Sequence, residues 1–145
     1  MYNISKLRKW DYTRGYLQLL NQLDEPNNNR THVISYEKFR RQYNKLTSNI
    51  FVMRDKNKVI ASGSIFIEKK FTHNLGSVGH IEDIVVDKNY RKEGLGKQIL
   101  DKLINYAKGN GCYEVVSNCT EKNIRFYKKC RFIRKETKMV YKIKD

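Results

Sequence analysis

The stretch Arg91-Lys92-Glu93-Gly94-Leu95-Gly96 combines residues that could bind an anion. It follows a β-branched segment that ends in Val85-Val86-Asp87, and apolar residues at helical spacing come after it. Backbone N–H groups of a glycine-rich turn and of the first helical turn can together bind a phosphate. The two glycines carry no Cβ atom that would hold the phosphate away, and the arginine and lysine add positive charge. A plain helix start that contains two glycines is the alternative.

A strand and a helix must position this turn. Residues 79–87 are rich in β-branched side chains and predict a strand. Leu95, Ile99, Leu103 and Ala107 recur every four residues and predict an amphipathic helix, which Gly109-Asn110-Gly111 would end. Open α/β sheets bind ligands outside the carboxyl ends of their strands, which is where this turn would lie.

The rest of the sequence predicts an α/β fold with a mixed sheet. Helices are predicted over 11–23, with Asp11 as N-cap, from 36 onward, with Ser35 as N-cap, and over 121–129. Phe39, Tyr43 and Leu46 are the buried candidates of the second helix. Further strands are predicted over 49–54, 59–69, 113–118 and 138–143. Strands 81–87 and 113–118 should be parallel neighbours because a helix joins them.

The length and composition of the chain limit the number of domains and the kind of protein that it can be. The 145 residues, 39% of them hydrophobic and only one of them proline, predict a single domain over 1–145. No apolar run approaches the roughly 20 residues of a membrane span, and no apolar leader is present, so we expect a soluble cytoplasmic protein. The three cysteines have no metal-ligand spacing, so we expect reduced thiols and no metal.

The formal net charge of +15 raises the question of nucleic-acid binding. The lysines are spread over every segment instead of forming one basic stripe, which argues against a specific nucleic-acid partner. So basic a chain should attract anionic small molecules such as a phosphosugar or CoA. A basic module that binds acyl-CoA or nucleic acid without turnover stays open as an alternative.

The turn Arg91-x-x-Gly94-x-Gly96 resembles the pyrophosphate-binding motif of the GNAT superfamily of acyl-CoA N-acyltransferases. The blocks 70–73, 79–84, 111–113 and 118–130 extend this resemblance to the eukaryotic glucosamine 6-phosphate N-acetyltransferase family. The resemblance implies a mixed, mostly antiparallel central sheet flanked by helices, with a central parallel strand pair splayed at the acetyl-CoA site. It also implies acetyl transfer from acetyl-CoA to the 2-amine of D-glucosamine 6-phosphate, within UDP-N-acetylglucosamine biosynthesis. Direct attack in a ternary complex and a homodimer are implied as well.

The same resemblance implies the site residues. By resemblance Tyr127 would protonate the leaving thiolate. Chemistry adds two further catalytic candidates: the Glu82 carboxylate, which could accept a proton or hold the ammonium, and Asn118, which can hydrogen-bond the amine but cannot accept its proton. Acetyl-CoA would contact Ile84, Val85, Val86, Arg91, Lys92, Glu93, Gly94, Leu95, Gly96, Asn123 and Tyr127. The phosphosugar would contact Asp24, Lys70, Phe71, Thr72, His73, Glu82, Asp83, Ile84, Asn118 and Lys142, the last of these across the dimer interface.

Several of these roles have a plainer alternative. Tyr127 could be only a packing aromatic, and an exposed lysine in so basic a chain is usually just solvated. Glu82 and Asp83 are adjacent in a predicted strand, so their side chains should point to opposite faces. Asn118 stands where some family members carry an acid, and Asp24 stands where threonine is usual. These departures leave another amino sugar or a small amine open as the acceptor.

Overall fold

One sheet of five strands carries the fold, within residues 2–23 and 30–144, which the computed structural model describes. The strands are Asn3–Lys6 (β1), Asn49–Asp55 (β2), Lys58–Lys69 (β3), Ser77–Val86 (β4) and Cys112–Ser117 (β5). The helices are Tyr16–Leu20 (α1), Tyr36–Lys45 (α2), Thr72–Leu75 (α3), Leu95–Gly109 (α4) and Ile124–Lys129 (α5). Short 3₁₀ turns lie at Lys9–Arg14, Thr31–Val33, Lys88–Tyr90 and Glu121–Asn123.

The sheet is mixed, as predicted. Its strand order is β1-β2-β3-β4-β5, and β1 to β4 pair antiparallel with their neighbours. The strands β4 and β5 pair in parallel, and α4 provides the crossover between them. This confirms the parallel pair that the strand–helix–strand order predicted, because parallel neighbours need a long connection.

Helices cover both faces of the sheet. The predicted stripe of α4, Leu95, Ile99, Leu103 and Ala107, is buried against one face. The residues Leu17 of α1 and Phe39 of α2 are buried in a second cluster that includes Val52, Val59 and Val85 of the sheet. Each fully buried aliphatic side chain contributes roughly 1.5–3 kcal/mol, so these two clusters hold the layers together.

The first helical segment differs from the prediction. Residues 11–23 do not form one helix, because Gly15 takes a left-handed conformation with φ of 84° between the 3₁₀ turn and α1. Asp11 is not an N-cap but a fully buried acid, whose Oδ2 accepts the Arg8 N–H at 2.7 Å. Its carboxylate pairs with Arg54, with 2.6 Å between Nη2 and Oδ2. A partner distant in sequence therefore decides its role.

The structure confirms one of the remaining sequence predictions and corrects others. Ser35 caps α2 as predicted, since its side chain accepts from the Lys38 N–H, whereas Leu46 follows the helix and is exposed. The strand β1 was not predicted, because four residues give too short an alternation to detect. The predicted strand over 138–143 is wrong, since residues 132–144 form neither helix nor strand. Alternating side chains make a strand only where a neighbouring backbone completes the ladder.

Candidate functional site

A cleft of about 950 Å³ opens where β4 and β5 part. The pairing of these strands ends at Ile81 with Ser117, and β4 continues past β5 to Val86, paired there only with β3. The cleft is lined by Gln22, Leu23, Glu82, Asp83, Ile84, Val85, Val86, Arg91, Lys92, Gly94, Leu95, Gly96, Lys97, Ser117, Asn118, Cys119, Thr120, Lys122, Asn123, Phe126, Tyr127, Lys129, Cys130 and Lys138. The cleft therefore lies at the carboxyl edge of the sheet, where ligands of such sheets bind.

A β-bulge in β4 shapes this cleft. Ser62 pairs with Val85 and Ser64 with Glu82, so the single residue Gly63 of β3 faces two residues of β4. One of those two, Asp83, has a left-handed φ of 55°. A bulge interrupts the alternation of side chains along a strand. Glu82 and Asp83 both line the cleft, as do all the residues from 82 to 86, and the bulge lies where simple alternation predicted opposite faces for the two side chains.

The two carboxyl groups sit in an environment that favours their protonated forms. Burial raises the pKa of Asp83, and burial followed by the negative charge of Asp83 raises the pKa of Glu82. The positive charge of Lys138 and a hydrogen bond with Asn118 act in the opposite direction on Glu82 without cancelling the rise. A carboxylate whose pKa is raised is a better proton acceptor, so Glu82 is suited to act as a general base.

Tyr127 also lines the cleft, and a hydrogen bond holds its hydroxyl in place. The Ser117 hydroxyl donates to Tyr127 Oη at 3.0 Å, which joins the end of β5 to α5. Burial raises the pKa of Tyr127, so the phenol stays protonated at neutral pH and can donate. Its ring also packs edge-on against Phe126 and Phe132, with centroids 5.2 and 5.3 Å away. The packing and acid interpretations of Tyr127 are therefore compatible.

The glycine turn presents backbone N–H groups at the mouth of the cleft. Gly94 precedes α4 with a left-handed φ of 78°, and a Cβ atom there would meet nothing within 4 Å. The Arg91 Nε–H donates to the Val86 carbonyl at 3.0 Å, which ties the turn to the end of β4. The N-terminus of the 15-residue helix α4, which is the positive end of its dipole, also borders the cleft. These groups fit a bound diphosphate.

Not all of the predicted site residues meet in the cleft. Lys70, Phe71, Thr72, His73 and Lys142 lie outside its lining, as does Glu93, and Asp24 lies outside the described residues. The His73 ring stacks on Tyr113, at the start of β5, with 4.1 Å between centroids. Lys70 donates its backbone N–H to the Gly76 carbonyl, and Gly76 lies six positions before Glu82, which is roughly 20 Å along extended β4. Within one chain Lys70 and His73 therefore lie at the opposite end of β4 from the cleft.

Sequence reasoning missed several cleft residues. Ser117, Cys119 and Thr120 flank the predicted Asn118, and their position after a strand could have identified them. Phe126 precedes Tyr127 on the short helix. No sequence pattern could have identified Lys138. Its charge acts on Glu82 from the segment 132–144, which forms neither helix nor strand.

Neither a metal site nor a membrane-spanning helix is found in the described part of the chain. Across residues 2–23 and 30–144, no cluster of three or more His, Cys, Asp or Glu side chains has the arrangement of a metal site. Over the same residues, every helix is too short or too polar to span a membrane.

Comparison with known proteins gives consistent relatives. Residues 8–132 match the family described as "Acetyltransferase (GNAT) family". The chain is 40% identical over 130 residues to glucosamine 6-phosphate N-acetyltransferase 1 of Dictyostelium discoideum, covering 89% of this chain and 83% of that protein. It is 37% identical over 145 residues to glucosamine 6-phosphate N-acetyltransferase of Arabidopsis thaliana, covering 95% and 94%. The crystal structure of glucosamine-6-phosphate N-acetyltransferase from Arabidopsis thaliana matches with a TM-score of 0.90 and 34% identity over 99% of both chains.

Proposed function

Since the chain belongs to the acetyltransferase (GNAT) family, we propose that it transfers the acetyl group of acetyl-CoA to the 2-amine of D-glucosamine 6-phosphate. The products are N-acetyl-D-glucosamine 6-phosphate and CoA, and the former is a precursor of UDP-N-acetylglucosamine. The observation that carries this proposal is the identity of 40% and 37% to two relatives named for this reaction, over most of each chain. The cleft supports it, because a diphosphate-binding turn, a candidate base and a candidate acid line one space.

The donor is held by the turn and by the first residues of α4. The backbone N–H groups from Arg91 to Gly96 bind the CoA diphosphate, and the side chains of Arg91 and Lys92 add positive charge. Asn123 lines the same cleft and contacts CoA. Acetyl-CoA supplies an activated acetyl thioester, so this chain needs neither a metal nor a covalent nucleophile.

Gly96→Ala should separate donor binding from folding. The new Cβ atom would lie 3.4 Å from the Phe126 ring and 3.7 Å from Val86, both ordinary contacts. Alanine within a helix should therefore preserve stability or raise it by about 0.5–1 kcal/mol. The same methyl group would hold the diphosphate away from the backbone, and losing one charge-assisted hydrogen bond should weaken acetyl-CoA binding about tenfold. Calorimetric titration and thermal unfolding measure the two effects, and unchanged affinity would contradict this placement of the diphosphate.

Transfer itself depends on positioned donors and acceptors. Backbone N–H groups of Ile84–Val86, on the part of β4 that extends past β5, stabilise the negative charge that develops on the thioester oxygen. Glu82 accepts a proton from the attacking amine, and Asn118 orients the Glu82 carboxylate through their hydrogen bond. Tyr127 gives its proton to the leaving thiolate. Holding both reactants in one cleft supplies much of the rate enhancement.

A second copy of the chain completes the acceptor site in this proposal. The basic residues Lys70, His73 and Lys142 lie away from their own cleft, and the outer edge of β5 has no partner strand within the described residues. The segment 132–144 exposes alternating apolar side chains, with Met139, Tyr141 and Ile143 all at least 87% exposed. A homodimer would cover these side chains and bring basic residues of one copy to the phosphosugar of the other.

The experiment that tests the function is CoA release from acetyl-CoA with a panel of amines, phosphorylated and not. Glucosamine 6-phosphate should exceed glucosamine in kcat/KM by more than about tenfold, because only the phosphate can pair with the basic residues. Equal values would point to a different amine as the acceptor, and no release with any amine would point to a binding module. Light scattering of the same preparation should give twice the chain mass of 17.3 kDa.

A further inference from the structure

The turn that binds the donor is attached to the β2–β3 hairpin, outside the cleft. Asp55 and Lys58 pair with each other at the tip of that hairpin. The Tyr90 hydroxyl, at the end of the 3₁₀ turn before Arg91, donates to Asp55 Oδ2 at 2.7 Å. Neither hairpin residue lines the cleft, so neither touches a ligand bound there.

A second attachment lies three residues earlier. Lys58 Nζ is 3.1 Å from Oδ2 of the buried Asp87, and it also stands over the Tyr90 ring, 5.6 Å from the centroid. The other carboxylate oxygen of Asp87 accepts the Asn89 N–H at 2.9 Å, and its carbonyl accepts the Tyr90 N–H at 2.8 Å. Lys58 therefore holds the residue that organises the start of the turn.

The N-terminal segment adds a third attachment. The Tyr2 ring meets the Tyr90 ring edge-on, with 6.0 Å between centroids. Burial, the charges of Glu93 and Asp55, and a hydrogen bond with the Glu93 carboxylate raise the pKa of Tyr2. The segment from Asp87 to Tyr90 is thus contacted by Lys58 of β3, by Asp55 of β2 and by Tyr2, the residue before β1.

The turn needs such support because its backbone is strained. Lys92 has a left-handed φ of 71°, which costs a residue with a Cβ atom about 1–2 kcal/mol. Gly94 is left-handed as well, but glycine adopts that conformation freely. A strained backbone persists only where the surrounding contacts specify it. On the side of the turn that faces the β2–β3 hairpin, the contacts of Tyr90 and Asp87 can hold this strained backbone in place.

We infer that Asp55, Lys58 and Tyr90 are positioning residues that hold the donor-binding turn in its binding conformation. The inference rests on the proposed function, because it takes the turn to bind acetyl-CoA. Their removal lets the turn populate other conformations and lowers the fraction of protein that can bind the donor. The effect falls on donor affinity, and turnover at saturating donor stays the same, since none of the three residues contacts the reacting groups.

Tyr90→Phe tests this inference against a matched control, Tyr43→Phe. Tyr43 also donates its hydroxyl to an oxygen, the Leu7 carbonyl at 3.1 Å, but belongs to the cluster on the other face of the sheet. Both variants lose one hydrogen bond. Tyr90→Phe should raise Kd and KM for acetyl-CoA about fivefold with kcat and the acceptor KM unchanged, whereas Tyr43→Phe should change none of these. Equal donor affinities in the two variants would overturn the inference.

The acceptor atom on Asp55 provides a rescue experiment. Asp55→Ala should weaken donor binding as Tyr90→Phe does, and Asp55→Asn should recover most of the loss because its amide oxygen can still accept from Tyr90. The double variant Asp55→Ala with Tyr90→Phe should be no worse than either single variant, since both remove the same bond. If the losses of donor affinity in the two single variants add in the double variant, the residues do not act through one shared hydrogen bond, and the inference is overturned.

Amide hydrogen exchange distinguishes failure of the inference from failure of the proposed function. In unliganded protein the amides of residues 91–96 should exchange faster in Tyr90→Phe than in Tyr43→Phe, whatever the turn binds. Equal exchange rates would overturn the inference even if the wild-type enzyme acetylates the phosphosugar. If exchange is faster in Tyr90→Phe but the wild-type protein fails to bind CoA, the proposed function is refuted and the positioning contact stands.

Discussion

Tyr127→Phe is expected to lower kcat about 100-fold while acetyl-CoA affinity stays close to the wild-type value. Phenylalanine keeps the ring that packs against Phe126 and Phe132 and removes only the hydroxyl. A positioned general acid contributes about 10²-fold or more, and an interaction made mainly in the transition state affects kcat rather than binding. Steady-state kinetics with both substrates varied measures the two effects separately.

Ser117→Ala gives a graded control for this result. It leaves the phenol in place and removes the hydroxyl that donates to it at 3.0 Å, so the acid is present but less well oriented. We expect a smaller loss of kcat than in Tyr127→Phe. Wild-type turnover in Tyr127→Phe would show that Tyr127 only packs and that water protonates the thiolate.

Glu82→Gln is expected to lower kcat about 100-fold and to remove the carboxylate titration from the acidic limb of the pH–rate profile. Glu82 must be ionised to accept a proton, so activity is lost as the pH falls through its pKa. Burial and the charge of Asp83 raise that pKa, which places the limb at a higher pH than an ordinary glutamate would. Rate profiles between weakly acidic and weakly basic pH measure the change.

Asn118→Ala should shift the same limb without removing it. Hydrogen bonding by Asn118 lowers the pKa of Glu82, so its loss should move the acidic limb to higher pH and reduce the maximal rate less than Glu82→Gln. Titration of the acceptor amine is common to all the variants and cancels in the comparison. A wild-type profile in Glu82→Gln beside a severe defect in Asn118→Ala would show that the amide, and not the carboxylate, prepares the amine.

Local patterns were sufficient where the chemistry is local. The apolar stripe of α4 predicted its buried face because helical spacing places every fourth residue on one side. Ser35 was predicted as a cap because capping involves only the next few residues. The glycine turn at the start of α4 was predicted for the same reason, since its glycines lie within six residues of sequence. The parallel pairing of β4 and β5 followed from the helix between them.

Contacts between distant segments needed the tertiary structure. Whether Asp11 caps a helix or pairs with Arg54 depends on a strand 43 residues away. The segment 138–143 alternates like a strand, but a strand exists only when another backbone supplies its hydrogen bonds. The bulge opposite Gly63, which interrupts the alternation of side chains at Glu82 and Asp83, arises from the register between β3 and β4.

The sequence by itself therefore determined the parallel strand pair joined by α4, the glycine turn that begins α4 and, through resemblance, the family. Only the tertiary structure placed Ser117 against Tyr127, Asn118 and Lys138 beside Glu82, and Asp55 under Tyr90. The same structure separated Lys70 and His73 from the cleft of their own chain. The physical reason is that periodicity and capping act over a few residues, whereas register and burial depend on which distant surfaces meet.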